Sequence, residues 1–86
     1  MLNEKKLTDM VQDLKIVESA NSFEDILNNL SKDNGYYKMV EQAKESADNS
    51  SKEYGEIAYK TALIDLQAQA VANMEIDILT YLKEVL

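Results

Sequence analysis

The chain has 86 residues and a net charge of −7, and it contains no Arg, His, Cys, Trp or Pro. Without His and Cys it cannot form disulfides, thiolate nucleophiles, imidazole bases or zinc sites built from these ligands. Without Arg it has no bidentate phosphate clamp. We therefore predict that the protein is not an enzyme and that it binds no cofactor and no metal.

A chain of this length is expected to form one domain, 1–86, with a modest core. Its hydrophobic content of 45% with 29% charged residues is typical of a soluble globular protein. Lys5 and Lys6 are not followed by an apolar run, and no stretch of 18 apolar residues occurs. We predict neither a signal peptide nor a membrane partner, which favours a cytoplasmic location.

The acidic composition has two interpretations. Sixteen acidic residues outnumber nine lysines, and no basic cluster is visible, so direct binding to nucleic acid is not predicted. The negative charge either keeps the surface soluble or engages a basic groove on another protein. All positive charge comes from Lys, and Asn is frequent. That usage is typical of AT-rich coding sequence in low-GC bacteria, their phages and their plasmids.

The spacing of apolar residues predicts helices and no strands. The first helix is predicted over about 4–18, with Asn3 as its N-cap. The second is predicted over 23–31, where Ser22 and Asp25 resemble a capping box. Asn34-Gly35 would supply the left-handed residue that ends it.

The third helix is predicted over about 36–47 and the fourth over about 51–85. The polar run at 48–51 competes for backbone hydrogen bonds, which indicates a break. Ser50 and Glu53 would then cap the fourth helix, with Gly55 as an alternative boundary. At roughly 50 Å, this helix would overhang a compact domain unless the bundle is elongated, the helix bends or a second chain covers it.

Two apolar stripes run along the fourth helix when residues are placed at intervals of ~100°. The first stripe contains Ile57, Thr61, Ile64, Ala68, Val71, Leu79, Leu82 and Leu86, with Glu75 interrupting it. The second stripe contains Tyr59, Leu63, Leu66, Ala70, Met74 and Tyr81. One stripe should pack against the N-terminal helices. The other needs cover from the far side of the same bundle or from a partner.

Tyr36 and Tyr37 follow a turn, so at least one of them is expected to face solvent. Tyrosines of this kind either lie at the edge of a core with wet hydroxyls or anchor an interface. We predict that this pair contacts a partner and that the second stripe mediates a two-fold homodimer. The predicted interface residues are Tyr36, Tyr37, Tyr59, Leu63, Leu66, Ala70, Met74 and Tyr81.

Carboxylate pairs are the main chemistry that the composition leaves open. Glu53 and Glu56 lie three residues apart, between Lys52 and Lys60, and such a pair can hold Mg²⁺ or act as acid and base. Because charged pairs on helices are usually solvated, no metal site is predicted here.

The sequence therefore predicts an all-α fold, a small three- to four-helix bundle with a long C-terminal helix. The predicted function is that of a small acidic protein-binding protein, encoded on a phage or other mobile element. It would inhibit or adapt a larger partner, for example one that handles nucleic acid. The alternative is a self-assembling structural or accessory subunit with no inhibitory role.

Overall fold

The computed structural model describes all 86 residues, Met1–Leu86, and contains four helices and no strands. The helices are α1 (Glu4–Ser19), α2 (Phe23–Asn29), α3 (Tyr37–Tyr54) and α4 (Glu56–Val85). Together they include 83% of the chain. The predicted all-α fold with a long C-terminal helix is confirmed.

The first two helices begin at the predicted N-caps. Asn3 Oδ1 accepts a hydrogen bond from the backbone N–H of Lys6 at 3.1 Å, and Ser22 Oγ accepts one from Asp25 at 3.0 Å. The Asp25 carboxylate accepts from the N–H of Asn21 at 3.1 Å, one residue before the usual position in a capping box. These bonds satisfy N–H groups that a first helical turn leaves without partners.

The end of α2 differs from the prediction. The helix stops at Leu30, which is extended and 4% exposed, so insertion of this side chain into the core sets the end. Gly35 is not left-handed, because Gly55 is the only residue with a positive φ. Asn34 instead fixes the backbone just before α3, because its side-chain oxygen accepts a hydrogen bond from the Tyr36 N–H at 2.8 Å. The side-chain amide of Asn34 also donates to the Asp13 carboxylate at 2.8 Å.

The predicted break at 48–51 is also wrong, because α3 continues to Tyr54. Ala47 is buried at 1% exposure, and Ser51 Oγ donates to the carbonyl of Asp48 at 2.8 Å. Each such residue costs at most ~0.7 kcal/mol relative to alanine, and the helix continues through the run although none of the residues 48–54 is buried. The boundary is Gly55, with φ 81° and ψ −166°, and no side chain caps α4.

The single residue Gly55 makes α3 and α4 a tight helical hairpin. Tyr36, just before α3, bonds to Asp77 far along α4, so the two helices run antiparallel. The backbone N–H of Asn3 donates to the hydroxyl of Tyr81 at 2.8 Å, which places the start of α1 at the end of α4. The molecule measures 50 × 20 × 18 Å, so the elongated bundle is the form that accommodates the long helix.

The core is thin and draws on all four helices. Only 11 of the 86 residues are buried, and none of them is charged. The ring of Phe23 packs edge-to-face on Tyr59, with centroids 5.3 Å apart. The main cluster consists of Val17, Phe23, Ile26, Leu30, Val40, Ala47, Leu63, Leu66, Ala70 and Met74. Such a core leaves much apolar surface outside it, most of it on α4.

Candidate protein-binding surface

The second stripe forms the α4 side of the core. Its members Leu63, Leu66, Ala70, Met74 and Tyr81 are no more than 8% exposed, because the chain's own helices cover them. The prediction that these five residues bind a second copy is therefore corrected: their apolar surface is already buried within one chain.

The remaining predicted interface residues, Tyr36, Tyr37 and Tyr59, are half-buried and pack against the core cluster. The hydroxyl of Tyr36 donates to Asp77 at 2.5 Å, and that of Tyr59 donates to Glu24 at 3.2 Å. Both hydroxyls lie at the surface but are occupied by carboxylates of the same chain. This geometry matches the first interpretation of these tyrosines, in which the rings lie at the edge of the core and the hydroxyls lie at the solvent-exposed surface.

These surroundings change how readily the two bonded tyrosines ionise. Partial burial, followed by the Asp77 hydrogen bond and charge, raises the pKa of Tyr36 to about 12. Partial burial, followed by the charge and hydrogen bond of Glu24, raises the pKa of Tyr59 above its ordinary value. Neither hydroxyl is therefore poised for proton transfer near neutral pH.

The first stripe is exposed. Ile57, Ile64, Leu79 and Leu86 are 79%, 64%, 58% and 90% exposed. Thr61 and Ala68 are also exposed, whereas Val71 and Leu82 are half-buried. Ile76, beside the stripe, is 58% exposed. Large aliphatic side chains exposed along one face of a helix are candidates for an interaction site on a small protein.

An acidic residue interrupts each stripe, so charge does not distinguish them in the sequence. Glu75 lies within the first stripe, and Asp77 lies in line with the second, three residues after Met74 and four before Tyr81. Both acidic residues are exposed, and the Asp77 carboxylate accepts a hydrogen bond from Tyr36 at the edge of the core. The sequence therefore carried no charge signal that could show which stripe is buried.

The first stripe has the length and spacing that a partner helix requires. From Ile57 to Leu86 it extends about 44 Å along α4. With Glu75 included, its members follow one another at three or four residues, as in a seam between paired helices. Exposed Ala68 and Ala72 near its middle would let another backbone approach closely.

The charged groups do not form a comparable surface. Acidic residues occur on all four helices, and several are paired with lysines. Lys44 lies 2.9 Å from Asp48 and 3.7 Å from Glu24, and the Asp48 hydrogen bond is the main cause that raises the pKa of Lys44. Exposed pairs of this type contribute little stability. Apolar character, not charge, is therefore what distinguishes one face of the molecule.

The candidate carboxylate pair does not share a helix. Glu53 lies in α3 and Glu56 opens α4, on either side of Gly55, and Lys60 lies 3.3 Å from Glu56. No three acidic groups converge where they could hold a metal ion. A spacing of three residues places two carboxylates on one face only within a continuous helix, and the positive φ of Gly55 interrupts the helix between them.

One surface cleft lies between α1, the loop before α3, and α4. Its volume is about 260 Å³, and its lining includes Asp13, Asn34, Tyr36, Met74 and Asp77. Ligand pockets are usually about 300–1,000 Å³. The Asp13 carboxylate already accepts a hydrogen bond from Asn34, and the Asp77 carboxylate accepts one from Tyr36. The cleft is thus small and its polar groups are already used within the fold.

The chain matches no known protein family, and neither a curated protein nor a solved structure is significantly similar to it. No helix, α4 included, combines the length and apolar character that a bilayer crossing demands. The surface of the molecule itself is therefore the guide to its function.

Proposed function

We propose that this protein acts by binding another protein through the first stripe, as a small inhibitor or adaptor, and not by catalytic turnover. The observation that carries the proposal is the exposure of Ile57, Ile64, Leu79 and Leu86 along one face of α4. A soluble protein this small has little reason to leave four large aliphatic side chains in line unless a partner covers them.

The size of the exposed stripe supports binding of useful strength. Full burial of an aliphatic side chain contributes about 1.5–3 kcal/mol, and each of the four is more than half exposed. Their combined gain of several kcal/mol must offset an association cost of about 4–15 kcal/mol. Contacts from flanking residues are therefore needed, and loss of a single large side chain should be measurable.

The net charge of −7 supports a partner with a basic surface, such as a protein that handles nucleic acid. In this proposal the charge speeds association and selects the partner, while the apolar stripe supplies affinity. Affinity is assigned to the stripe and not to the charge because the acidic residues are spread over all four helices. The lysine-rich, arginine-free composition suits a phage or mobile-element protein acting in the bacterial cytoplasm.

Affinity capture from a bacterial lysate tests the proposal with a matched pair of variants. Ile64→Lys places a charge in the first stripe, and Asn73→Lys places the same charge at an exposed position elsewhere on α4. Capture of a defined protein by the wild type and by Asn73→Lys, but not by Ile64→Lys, is the expected result.

A salt series separates the two contributions to binding. Binding through the first stripe should survive about 1 M salt, because apolar burial does not depend on charge, whereas exposed charge pairs are screened within ~10 Å at 0.1 M. Capture that disappears in salt and ignores Ile64→Lys would instead indicate an acidic surface that mimics nucleic acid. Capture of nothing at any salt concentration would reject both forms of the proposal.

A self-assembling subunit is the second candidate function. It is favoured by the spacing of the large residues in the first stripe. Ile57 and Ile64 precede the midpoint between residues 71 and 72 by the same distances at which Leu86 and Leu79 follow it.

A further inference from the structure

The exposed side chains of the first stripe are arranged symmetrically about one point on α4. Ile57 and Leu86 are centred between Val71 and Ala72, and so are Ile64 and Leu79. Thr61 and Leu82 share the same centre. An antiparallel two-fold pair centred at this point brings each of these residues opposite its counterpart in the other copy, because residue i meets residue j while j meets i.

We propose that the first stripe binds the first stripe of a second copy of this chain, with the two α4 helices antiparallel. The two-fold axis passes between Val71 and Ala72, so Ile57 packs on the partner's Leu86 and Ile64 on the partner's Leu79. The inference rests on the proposed binding surface and on the second candidate function, self-assembly, because it assigns the surface to a second copy and not to a different, basic partner.

Glu75 selects the antiparallel arrangement. In a parallel pair each seam residue faces its own copy, so the two Glu75 carboxylates would meet across the interface. In the antiparallel pair each Glu75 faces the partner's Ala68, and the two carboxylates lie about 10 Å apart along the axis. Like charges directly opposite one another are destabilising, so the exposed Glu75 disfavours the parallel form.

The centre of the stripe is open enough for this approach. Ala68 and Ala72 are exposed and small, and a shallow groove of about 310 Å³ runs along them and Val71, bordered by Gln67, Glu75 and Glu18 of α1. The buried second stripe faces the other helices from the opposite side of α4. A second α4 can therefore lie along the first stripe without displacing the core.

The available area predicts a modest affinity. A face about 44 Å long and ~10 Å wide presents roughly 440 Å² in projection on each copy. Counted over both copies, and allowing for the relief of the side chains, this is close to the ~1,000–1,200 Å² of the smallest specific interfaces. We therefore expect a dissociation constant in the micromolar range.

Sedimentation equilibrium between about 5 and 500 μM tests whether the dimer exists. The expected mass rises from 9.8 kDa towards twice that value as the concentration increases. Ile64→Lys and Leu79→Lys should each weaken the dimer at least tenfold, and Asn73→Lys should leave it unchanged. All three positions are exposed, and circular dichroism should show the same helical content for each variant.

Disulfide trapping tests the orientation of the two α4 helices. Because the chain contains no cysteine, every cross-link must form at the introduced cysteines. A disulfide needs Cα atoms about 4.4–6.8 Å apart. Ala72→Cys, beside the two-fold axis, should cross-link to its own copy. Ile64→Cys should not, because the two copies of that residue would lie about 22 Å apart along the axis. A mixture of Ile64→Cys with Leu79→Cys should form the mixed disulfide.

A monomer at 500 μM, or a dimer indifferent to Ile64→Lys, would overturn the inference. A disulfide between two copies of Ile64→Cys would show a parallel pair and would also overturn it. The proposed function can be judged separately. If the monomeric protein still captures a different protein in an Ile64-dependent way, only the identity of the partner is wrong. If it captures nothing, both proposals fail.

Discussion

Leu66→Ala and Ile64→Ala should have very different effects on stability, although the two residues are only two positions apart on α4. Leu66 is 5% exposed and Ile64 is 64% exposed. Truncating a buried leucine to alanine costs about 2–5 kcal/mol, including the cavity that remains. Because an 86-residue domain has a total stability of roughly 4–13 kcal/mol, Leu66→Ala should remove a large share of it.

The cost at Ile64 is far smaller. Only about a third of its side chain is covered, so the lost burial is roughly a third of the ~1.5–3 kcal/mol for a fully buried isoleucine. Alanine returns part of this loss through its better helix propensity, up to ~0.7 kcal/mol. The net change should therefore stay within about 0.5 kcal/mol.

Urea unfolding followed by helical circular dichroism measures both values. The variants are compared at a few micromolar, so that any self-association contributes little. An unchanged m-value would show that the difference in midpoint is a difference in stability. If Ile64→Ala cost more than Leu66→Ala, the first stripe would be the buried one and the surface described above would not exist.

Three further changes test other parts of the fold. Gly55→Ala should cost about 1–3 kcal/mol in urea unfolding, because φ 81° and ψ −166° lie in a region essentially restricted to glycine; an unaltered midpoint would contradict this. Gln67→Leu should cost about 1–3 kcal/mol and speed amide exchange in α1, since the Gln67 amide donates to the carbonyls of Val17 at 2.9 Å and Ala20 at 2.8 Å; unchanged exchange would argue against that role. In an alkaline absorbance titration Tyr36 should ionise near pH 12 and Tyr59 later than a free tyrosine. Because both folded-state pKa values are raised, their stabilising contribution is complete below the unfolded pKa of about 10 and is lost as pH rises through the folded values. Ionisation of every tyrosine together near pH 10 would refute this.

Local features of the chain were readable from the sequence because they depend on a few neighbouring residues. Asn3 and Ser22 cap their helices through backbone N–H groups three residues ahead, and the apolar spacing within each segment identifies a helix. Gly55 was read only as an alternative boundary. The competing polar run at 48–51 looked stronger because its residues have low helix propensities, but those costs are small and α3 continues through the run to Tyr54.

The sequence by itself determined the helical class, the single long C-terminal helix and the presence of two apolar stripes on that helix. Only the tertiary structure decided which stripe is covered. Periodicity locates a face on a helix but does not say what lies opposite, and both stripes carry enough aliphatic surface to form a core. The second stripe is buried because the other helices pack against it, with Ala70 fully buried where they approach α4. The first stripe remains exposed because α1 and α3 pack against other sides of α4.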